Sequence, residues 1–89
     1  MNKALTTDES RLKRLQFRSW HRGWKETDLI LGQFADARLS TLSPAQLAAY
    51  DTLLDRDDDQ IWGWITGKEA PPVELSEIVA MLEGYGRQV

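Results

Sequence analysis

The sequence contains no cysteine, only one histidine and no long apolar run, and each of these shortages removes a class of protein. Without cysteine, disulfides and thiolate metal sites are excluded. No apolar stretch approaches the roughly 20 residues that a transmembrane helix needs, so we expect no insertion into a membrane. Fewer than ten residues precede the first helix signal, which leaves no room for a signal or transit peptide. We therefore expect a cytoplasmic protein.

Groups that could carry catalysis are also scarce. His21 has no serine or cysteine nucleophile paired with it, and there is no glycine-rich phosphate loop and no metal-ligand spacing. The Asp57-Asp58-Asp59 run lacks the alternating oxygens, the central glycine and the closing glutamate of a calcium-binding EF-hand loop. It is typical instead of a helix start, with an N-cap and acids that favour the positive end of the helix dipole. We expect no catalytic, cofactor-binding or metal site, and hence no enzyme.

Charge is plentiful and unevenly distributed. Residues 1–25 carry seven basic and two acidic side chains, whereas residues 26–89 carry four basic and twelve acidic ones. This asymmetry indicates charged partners, or two halves that pack on each other. Arg11, Arg14 and Arg18 recur at helical spacing, which is usual for a solvated face but also suits packing beside the acidic 55–59 region.

Hydrophobic periodicity predicts five short helices and almost no strand. Three of them run from about 7 to 20, 25 to 39 and 72 to 82, where the last gives way to Gly84-Tyr85-Gly86. The other two begin near Pro44 and at the 57–59 run. Short helices with short connections predict an all-α fold, a compact antiparallel bundle of five helices. We expect residues 1–89 to form a single domain, monomeric when free, with flexible ends at about 1–7 and 85–89.

Two local sequence features predict specific contacts. Ser43 as N-cap, Pro44 at the first helical position and Gln46 three residues after the cap together predict a capping box. Gly32 lies inside the second helix, where it costs about 1 kcal/mol relative to alanine. We therefore expect a neighbouring helix to pass close to it.

The corner between the first two helices reads Arg22-Gly23-Trp24-Lys25-Glu26. Gly23 permits a positive φ or a close backbone approach that other residues do not. Arg22 and Glu26 are four residues apart and share a face if the backbone is helical. A simple helix-to-helix corner would explain Gly23 and Glu26. An exposed tryptophan beside an arginine, however, is typical of a binding surface.

The five residues 22–26, together with Asp28 and Leu31, resemble the RGxxE motif of the SdhE family of small assembly factors for succinate dehydrogenase. The later stretch 53–59, which leads into Trp64, is similar to the second half of that family, an acidic helix start followed by an aromatic helix. The resemblance covers roughly residues 10 to 85. Two positions depart from it: His21 stands where the family commonly has a second arginine, and Thr27 where it commonly has leucine.

The resemblance implies a function as well as a fold. SdhE-like proteins bind the flavoprotein subunit of succinate dehydrogenase, and of the related fumarate reductase, and promote covalent attachment of FAD to a client histidine. The FAD then belongs to the client, and this chain would itself hold no cofactor. The location that we expect by default is the cytoplasm of a bacterium.

The same resemblance implies a partner-binding surface around the motif. Gly23 would let the backbone approach the client, and Glu26 would hydrogen-bond a polar group near its flavin site. Arg22 would pair with a client carboxylate or orient Glu26. The surface would be framed by Trp24, Asp28, Asp57 and Asp58. We expect changes at Arg22, Gly23 and Glu26 to leave the fold intact and to abolish the helper activity.

Two other functions remain open from the residues alone. One is a general protein-interaction module with an unrelated client. The other is a small helical DNA-binding regulator, because helix-turn-helix domains are also small and all-α. A sequence pI near 5.0 argues against that reading, since DNA-binding modules are usually basic. We expect no nucleic-acid partner.

Overall fold

The computed structural model describes residues 7–86, and these contain five α-helices, two one-turn 3₁₀ segments and no β-strand. The helices are α1 (Thr7–Trp20), α2 (Lys25–Arg38), α3 (Pro44–Leu54), α4 (Asp58–Ile65) and α5 (Ser76–Gly86). The 3₁₀ segments are Leu39–Thr41, after α2, and Val73–Leu75, before α5. The predicted all-α bundle is therefore confirmed. Residues 1–6 and 87–89, most of the expected flexible ends, lie outside the described residues.

The helix starts follow local sequence signals. Ser43 has extended backbone geometry, its side chain accepts from the Gln46 backbone N–H at 3.1 Å, and the Gln46 amide oxygen accepts from the Ser43 N–H at 2.9 Å. The predicted capping box is thus confirmed, with Pro44 as the first helical residue. Asp57 occupies the corresponding position before α4, with Gln60 accepting from its backbone N–H at 3.2 Å.

The end of α5 differs from the prediction. The α-helix begins at Ser76, after the Val73–Leu75 turn, and continues through Gly84-Tyr85-Gly86, where the sequence predicted an end near Leu82. The Tyr85 ring packs edge-on against Phe34 of α2, with ring centroids 5.4 Å apart. This tertiary contact outweighs the low helix propensity of the glycines, because packing supplies most helix stability in proteins.

The core lies where α2 and α5 meet the other three helices. Residues with no more than 2% exposure come from all five helices and from the turn before α5: Leu15, Ile30, Leu31, Phe34, Tyr50, Leu53, Ile61, Leu75, Ile78, Val79 and Leu82. Among the described residues, no buried side-chain polar atom lacks a hydrogen-bond partner. In this same part of the chain, no helix has the length and apolar character needed to cross a bilayer.

One polar group is built into this core. Tyr50 of α3 donates its hydroxyl to the Leu31 carbonyl at 3.2 Å and lies 2.6 Å from the buried Ser19 hydroxyl, which also bonds the Leu15 carbonyl. Burial raises the pKa of the Tyr50 hydroxyl far above its ordinary value, so the hydroxyl remains protonated. The network joins α1, α2 and α3 and fixes the end of α1 that leads into the corner.

At Gly32, α2 lies in close contact with the end of α1. A Cβ built on Gly32 would lie 2.2 Å from Cδ2 of Trp20, far inside van der Waals contact. The Trp20 indole also donates to the Asp36 carboxylate at 3.3 Å. The close approach predicted at Gly32 is thus confirmed, and its partner is the last residue of α1.

We expect Gly32→Ala to destabilise the protein by about 1–3 kcal/mol, because the added methyl must displace an anchored indole. The matched control is Gly84→Ala in α5, where nothing lies within 4 Å of the added Cβ. There the higher helix propensity of alanine should leave stability unchanged or raise it by up to about 1 kcal/mol. Thermal melts of both variants test this, and equal effects at the two positions would contradict the packing account.

Candidate partner-binding site

The corner between α1 and α2 consists of the four non-helical residues 21–24. Gly23 has φ 122°, a region that residues with a Cβ rarely adopt. Trp24 is extended and acts as the N-cap residue of α2, and its carbonyl accepts from the Asp28 N–H at 2.9 Å. The Asp28 carboxylate accepts from the Arg22 backbone N–H at 2.7 Å. The turn is therefore closed by Asp28, from inside α2.

The Arg22 side chain points into the protein and bonds the connection between α3 and α4. Its Nε donates to Oδ1 of Asp58 at 2.6 Å, Nη1 donates to the Leu54 carbonyl at 2.8 Å, and Nη2 donates to the Arg56 carbonyl. The side chains of Arg22 and Asp58 are only 10% and 12% exposed. A planar guanidinium suits this task, because it offers several fixed donors at once.

Thr27 completes this arrangement. It is fully buried, and its hydroxyl lies 3.0 Å from Oδ1 of Asp58 and 3.1 Å from the Trp24 carbonyl. One Asp58 oxygen thus accepts from both Arg22 and Thr27. We call the side chains of Arg22, Thr27, Asp28 and Asp58 the Arg22 network. The sequence reading missed Thr27; its only signal was the departure from the family's usual leucine.

Other residues of the corner face solvent. Gly23, Trp24, Lys25 and Glu26 are all exposed, and Trp24 is one of three large apolar residues exposed in the described chain. Within residues 7–86, Glu26 makes no hydrogen bond or ion pair, so its carboxylate is free for a partner. We call these four residues the exposed corner.

The seven predicted site residues do not all lie on one exposed surface. Gly23, Trp24 and Glu26 belong to the exposed corner. Arg22, Asp28 and Asp58 are engaged inside the chain, and Asp57 is exposed at the start of α4, next to Asp58 in sequence. Arg22 and Glu26 do not pair with each other. The hypothesis that Arg22 reaches a client carboxylate does not agree with its position, because its guanidinium already has three acceptors in this chain.

Two of the three arginines in the basic stripe of α1 are likewise turned toward acids of the same chain. Arg18 bonds Asp51 at 3.0 Å and Asp55 at 2.8 Å, and Arg11 lies 3.5 Å from Asp51. The charge asymmetry of the sequence thus reflects two halves that pack on each other. With Arg11 and Arg18 neutralised by α3, little of this stripe remains for phosphates.

The described residues contain no group of three or more acids or histidines placed to hold a metal ion. What the arrangement offers is an exposed, bare-backbone corner with one free carboxylate and one aromatic ring, held in position by a mostly buried arginine.

Comparison with known proteins relates this corner to a family. The Sdh5 family model, described as "Flavinator of succinate dehydrogenase", matches residues 13–85. The chain is 35% identical over 86 residues to succinate dehydrogenase assembly factor 2, mitochondrial, of Dictyostelium discoideum, covering 96% of this chain and 61% of that protein. It is 39% identical over 61 residues to the FAD assembly factor SdhE of Legionella pneumophila (strain Lens), covering 68% of this chain and 77% of the relative.

A further relative is succinate dehydrogenase assembly factor 2, mitochondrial, of Schizosaccharomyces pombe. It is 36% identical over 89 residues, covering 98% of this chain and 64% of that protein. The chain therefore spans somewhat less than two thirds of the length of both mitochondrial relatives. The family-model match over residues 13–85 includes both the exposed corner and the Arg22 network.

Proposed function

Because the chain belongs to the Sdh5 family, the flavinators of succinate dehydrogenase, we propose that it is an assembly factor for a flavoprotein. It binds the flavoprotein subunit of succinate dehydrogenase, and of the related fumarate reductase, and promotes covalent attachment of FAD. What supports the proposal is the family match over residues 13–85, together with the free carboxylate that the corner presents within that match.

In this proposal the exposed corner contacts the client. The Gly23 backbone is exposed and carries no side chain, so a client segment can approach it closely. Glu26, which has no partner in the described chain, accepts a hydrogen bond from a polar group beside the client's flavin site, such as the histidine that receives the flavin. Trp24 contributes apolar contact, in the way that exposed aromatics do at binding hot spots.

The Arg22 network has a different role, which is to hold the corner in shape. Arg22 fixes the segment before Gly23 to the α3–α4 connection, and Asp28 closes the turn after it. Asp58 and the neighbouring Asp57 set the start of α4 against which Arg22 rests. A surface that is already ordered loses less conformational entropy on binding, which favours affinity.

The chemistry of attachment belongs to the client and its flavin. The flavin provides the electrophile and the client histidine the nucleophile, so the assembly factor needs neither a cofactor nor a catalytic group. Its contribution is to keep the client in an arrangement where flavin and imidazole meet. Positioning of this kind can account for several kcal/mol of a barrier. On this reading the factor is not an enzyme in its own right.

We place this activity in the cytoplasm of a bacterium, in keeping with the bacterial FAD assembly factors SdhE of Legionella pneumophila and Acetobacter pasteurianus among the relatives.

Affinity capture tests the partner. The tagged chain should retain a flavoprotein subunit from a bacterial lysate that expresses succinate dehydrogenase, and flavin fluorescence should persist in that band after denaturing electrophoresis. Glu74→Ala, an exposed acid before α5, serves as a control that should retain the same band. Capture of no flavoprotein by the wild-type chain would contradict the proposed partner.

A further inference from the structure

A groove of about 390 Å³ lies between α1 and α2, on the side of α1 away from α3. Its lining residues are Lys13, Gln16, Phe17, Trp20, His21 and Asp36. None of them belongs to the exposed corner or to the Arg22 network. Trp20 packs over Gly32, so the two helix backbones lie close together here.

An aromatic pair is held in place along this groove. Phe17 is 63% exposed, and its ring stacks on that of His21 with centroids 4.0 Å apart and planes 17° apart. The His21 Nδ1 is hydrogen-bonded to the Phe17 carbonyl at 2.8 Å, which fixes the imidazole against the helix. A large aromatic ring that is exposed yet fixed is the kind of group that anchors a partner at low entropic cost.

The charges differ on the two sides of α1. Arg11 and Arg18 form ion pairs with Asp51 of α3, and Arg18 also pairs with Asp55, which directly follows α3. Lys13 and Arg14 share a helical stripe with Phe17 and form no ion pair with any residue in the described range 7–86. On α1, the described basic side chains left for an external partner are therefore Lys13 and Arg14, and their positive charge favours an acidic partner.

The negative charge of Asp36 does not cancel this preference for an acidic partner. Its carboxylate already accepts from the Gln16 amide at 2.8 Å and from the Trp20 indole at 3.3 Å, so it serves to hold the wall of the groove.

The groove adjoins the exposed corner. Large apolar residues are exposed at three positions in the described chain: Phe17, Trp24 and Val73. Phe17 and Trp24 stand on either side of Arg22-Gly23 in sequence, and His21 directly precedes Arg22. A partner seated on the corner would thus reach the groove without a separate binding event, which gains affinity through the effective concentration of linked contacts.

From this placement we infer that the groove is a second docking surface for the same flavoprotein client. It takes a client segment in which an apolar side chain, packed on Phe17 and Trp20, stands next to a carboxylate that pairs with Lys13. This inference rests on the proposed function, because it takes the client from it. The exposed corner acts at the flavin site of the client, and the groove increases the affinity of the chain for the client.

The test is the affinity of the full chain for the purified apo-flavoprotein subunit, measured by titration calorimetry at low and high salt. Phe17→Ala should weaken binding about tenfold, the loss typical of an anchoring aromatic. Lys13→Glu should weaken binding by a similar factor at low salt and by clearly less at high salt, because salt screens an exposed charge pair. The matched controls are Val73→Ala, an exposed apolar residue elsewhere, and Lys68→Glu, an exposed lysine in the α4–α5 connection.

Both controls should bind like the wild type, and melting temperatures should show that all four variants fold. Wild-type affinity for Phe17→Ala and Lys13→Glu would overturn the docking surface while leaving the proposed function intact. Failure of the wild-type chain to bind the client would overturn both. Binding of the wild type to vesicles of phosphatidylcholine and phosphatidylserine that both groove variants abolish, with client affinity unchanged, would assign the groove to a membrane surface instead.

Discussion

Glu26→Ala is expected to abolish covalent FAD attachment to the client while leaving the melting temperature within about 2 °C of the wild type. Glu26 is exposed in the first turn of α2 and makes no bond with other residues in the described part of the chain, so its removal leaves no unsatisfied group behind. Its loss takes away the one free carboxylate that the exposed corner presents. The measurement pairs thermal melts with in-gel flavin fluorescence of the client.

Two further variants sharpen this experiment. Glu74→Ala removes an exposed acid at the start of the Val73–Leu75 turn and should change neither quantity. Glu26→Gln keeps one acceptor oxygen but loses the charge, so partial activity would assign Glu26 a hydrogen bond and complete loss would assign it a charge. Undiminished flavinylation by a folded Glu26→Ala protein would contradict the role that we give this residue.

Arg22→Ala is expected to lower the free energy of unfolding by about 3 kcal/mol, and the melting temperature by about 10 °C or more. The change leaves the Asp58 carboxylate, only 12% exposed, without its cation, and leaves two backbone carbonyls without their donor. Arg22→Lys should be intermediate, because an ammonium keeps the charge but cannot reproduce three directed bonds. Flavinylation should fall in step with stability, and should recover in part at low temperature.

Arg18→Ala is the matched control for Arg22→Ala. Arg18 also bonds two carboxylates, but its side chain is 37% exposed, and solvent screening should hold the loss to at most about 1 kcal/mol. If Arg22→Ala kept wild-type stability and lost only flavinylation, Arg22 would be a direct contact to the client, and the Arg22 network would not be the support of the corner.

The parts of the fold that could be predicted from the sequence are those set by interactions between neighbouring residues. The caps at Ser43 and Asp57 act within four residues, so their signals are readable without tertiary information. The same is true of the close approach at Gly32, although the residue that approaches it, Trp20, could not be named from spacing alone. The end of α5 was mispredicted because Tyr85 is held by Phe34, about fifty positions earlier in the chain.

In the site, too, some features follow from the local sequence, whereas others depend on tertiary packing. A positive φ at Gly23 and an exposed Glu26 follow from the motif itself. The partners of Arg22 do not, because Asp58 lies 36 positions away and is brought to the corner only by the packing of α4 beside α2. Their spacing would place Arg22 and Glu26 on one face if the corner were helical. In the structure the Arg22 guanidinium instead bonds acceptors near the start of α4, and the Glu26 carboxylate has no partner in the described chain.

This difference changes how substitutions in the motif should be interpreted. From the sequence, Arg22, Gly23 and Glu26 were all expected to tolerate change without loss of fold. With φ 122° at Gly23, any side chain adds backbone strain of order 1–3 kcal/mol, so Gly23→Arg should weaken the fold as well as block the approach of a client. Of the three, only Glu26 separates binding from stability.

Reconstitution from purified components tests directly whether this chain promotes covalent flavinylation. The apo-flavoprotein subunit and free FAD are incubated without the chain, with the wild-type chain, or with Glu26→Ala, and covalently bound flavin is followed over time. We predict rapid covalent attachment of FAD with the wild-type chain. With Glu26→Ala, attachment should be no faster than in the reaction without the chain. Equal rates in all three reactions, with folded client and folded chain, would contradict this prediction.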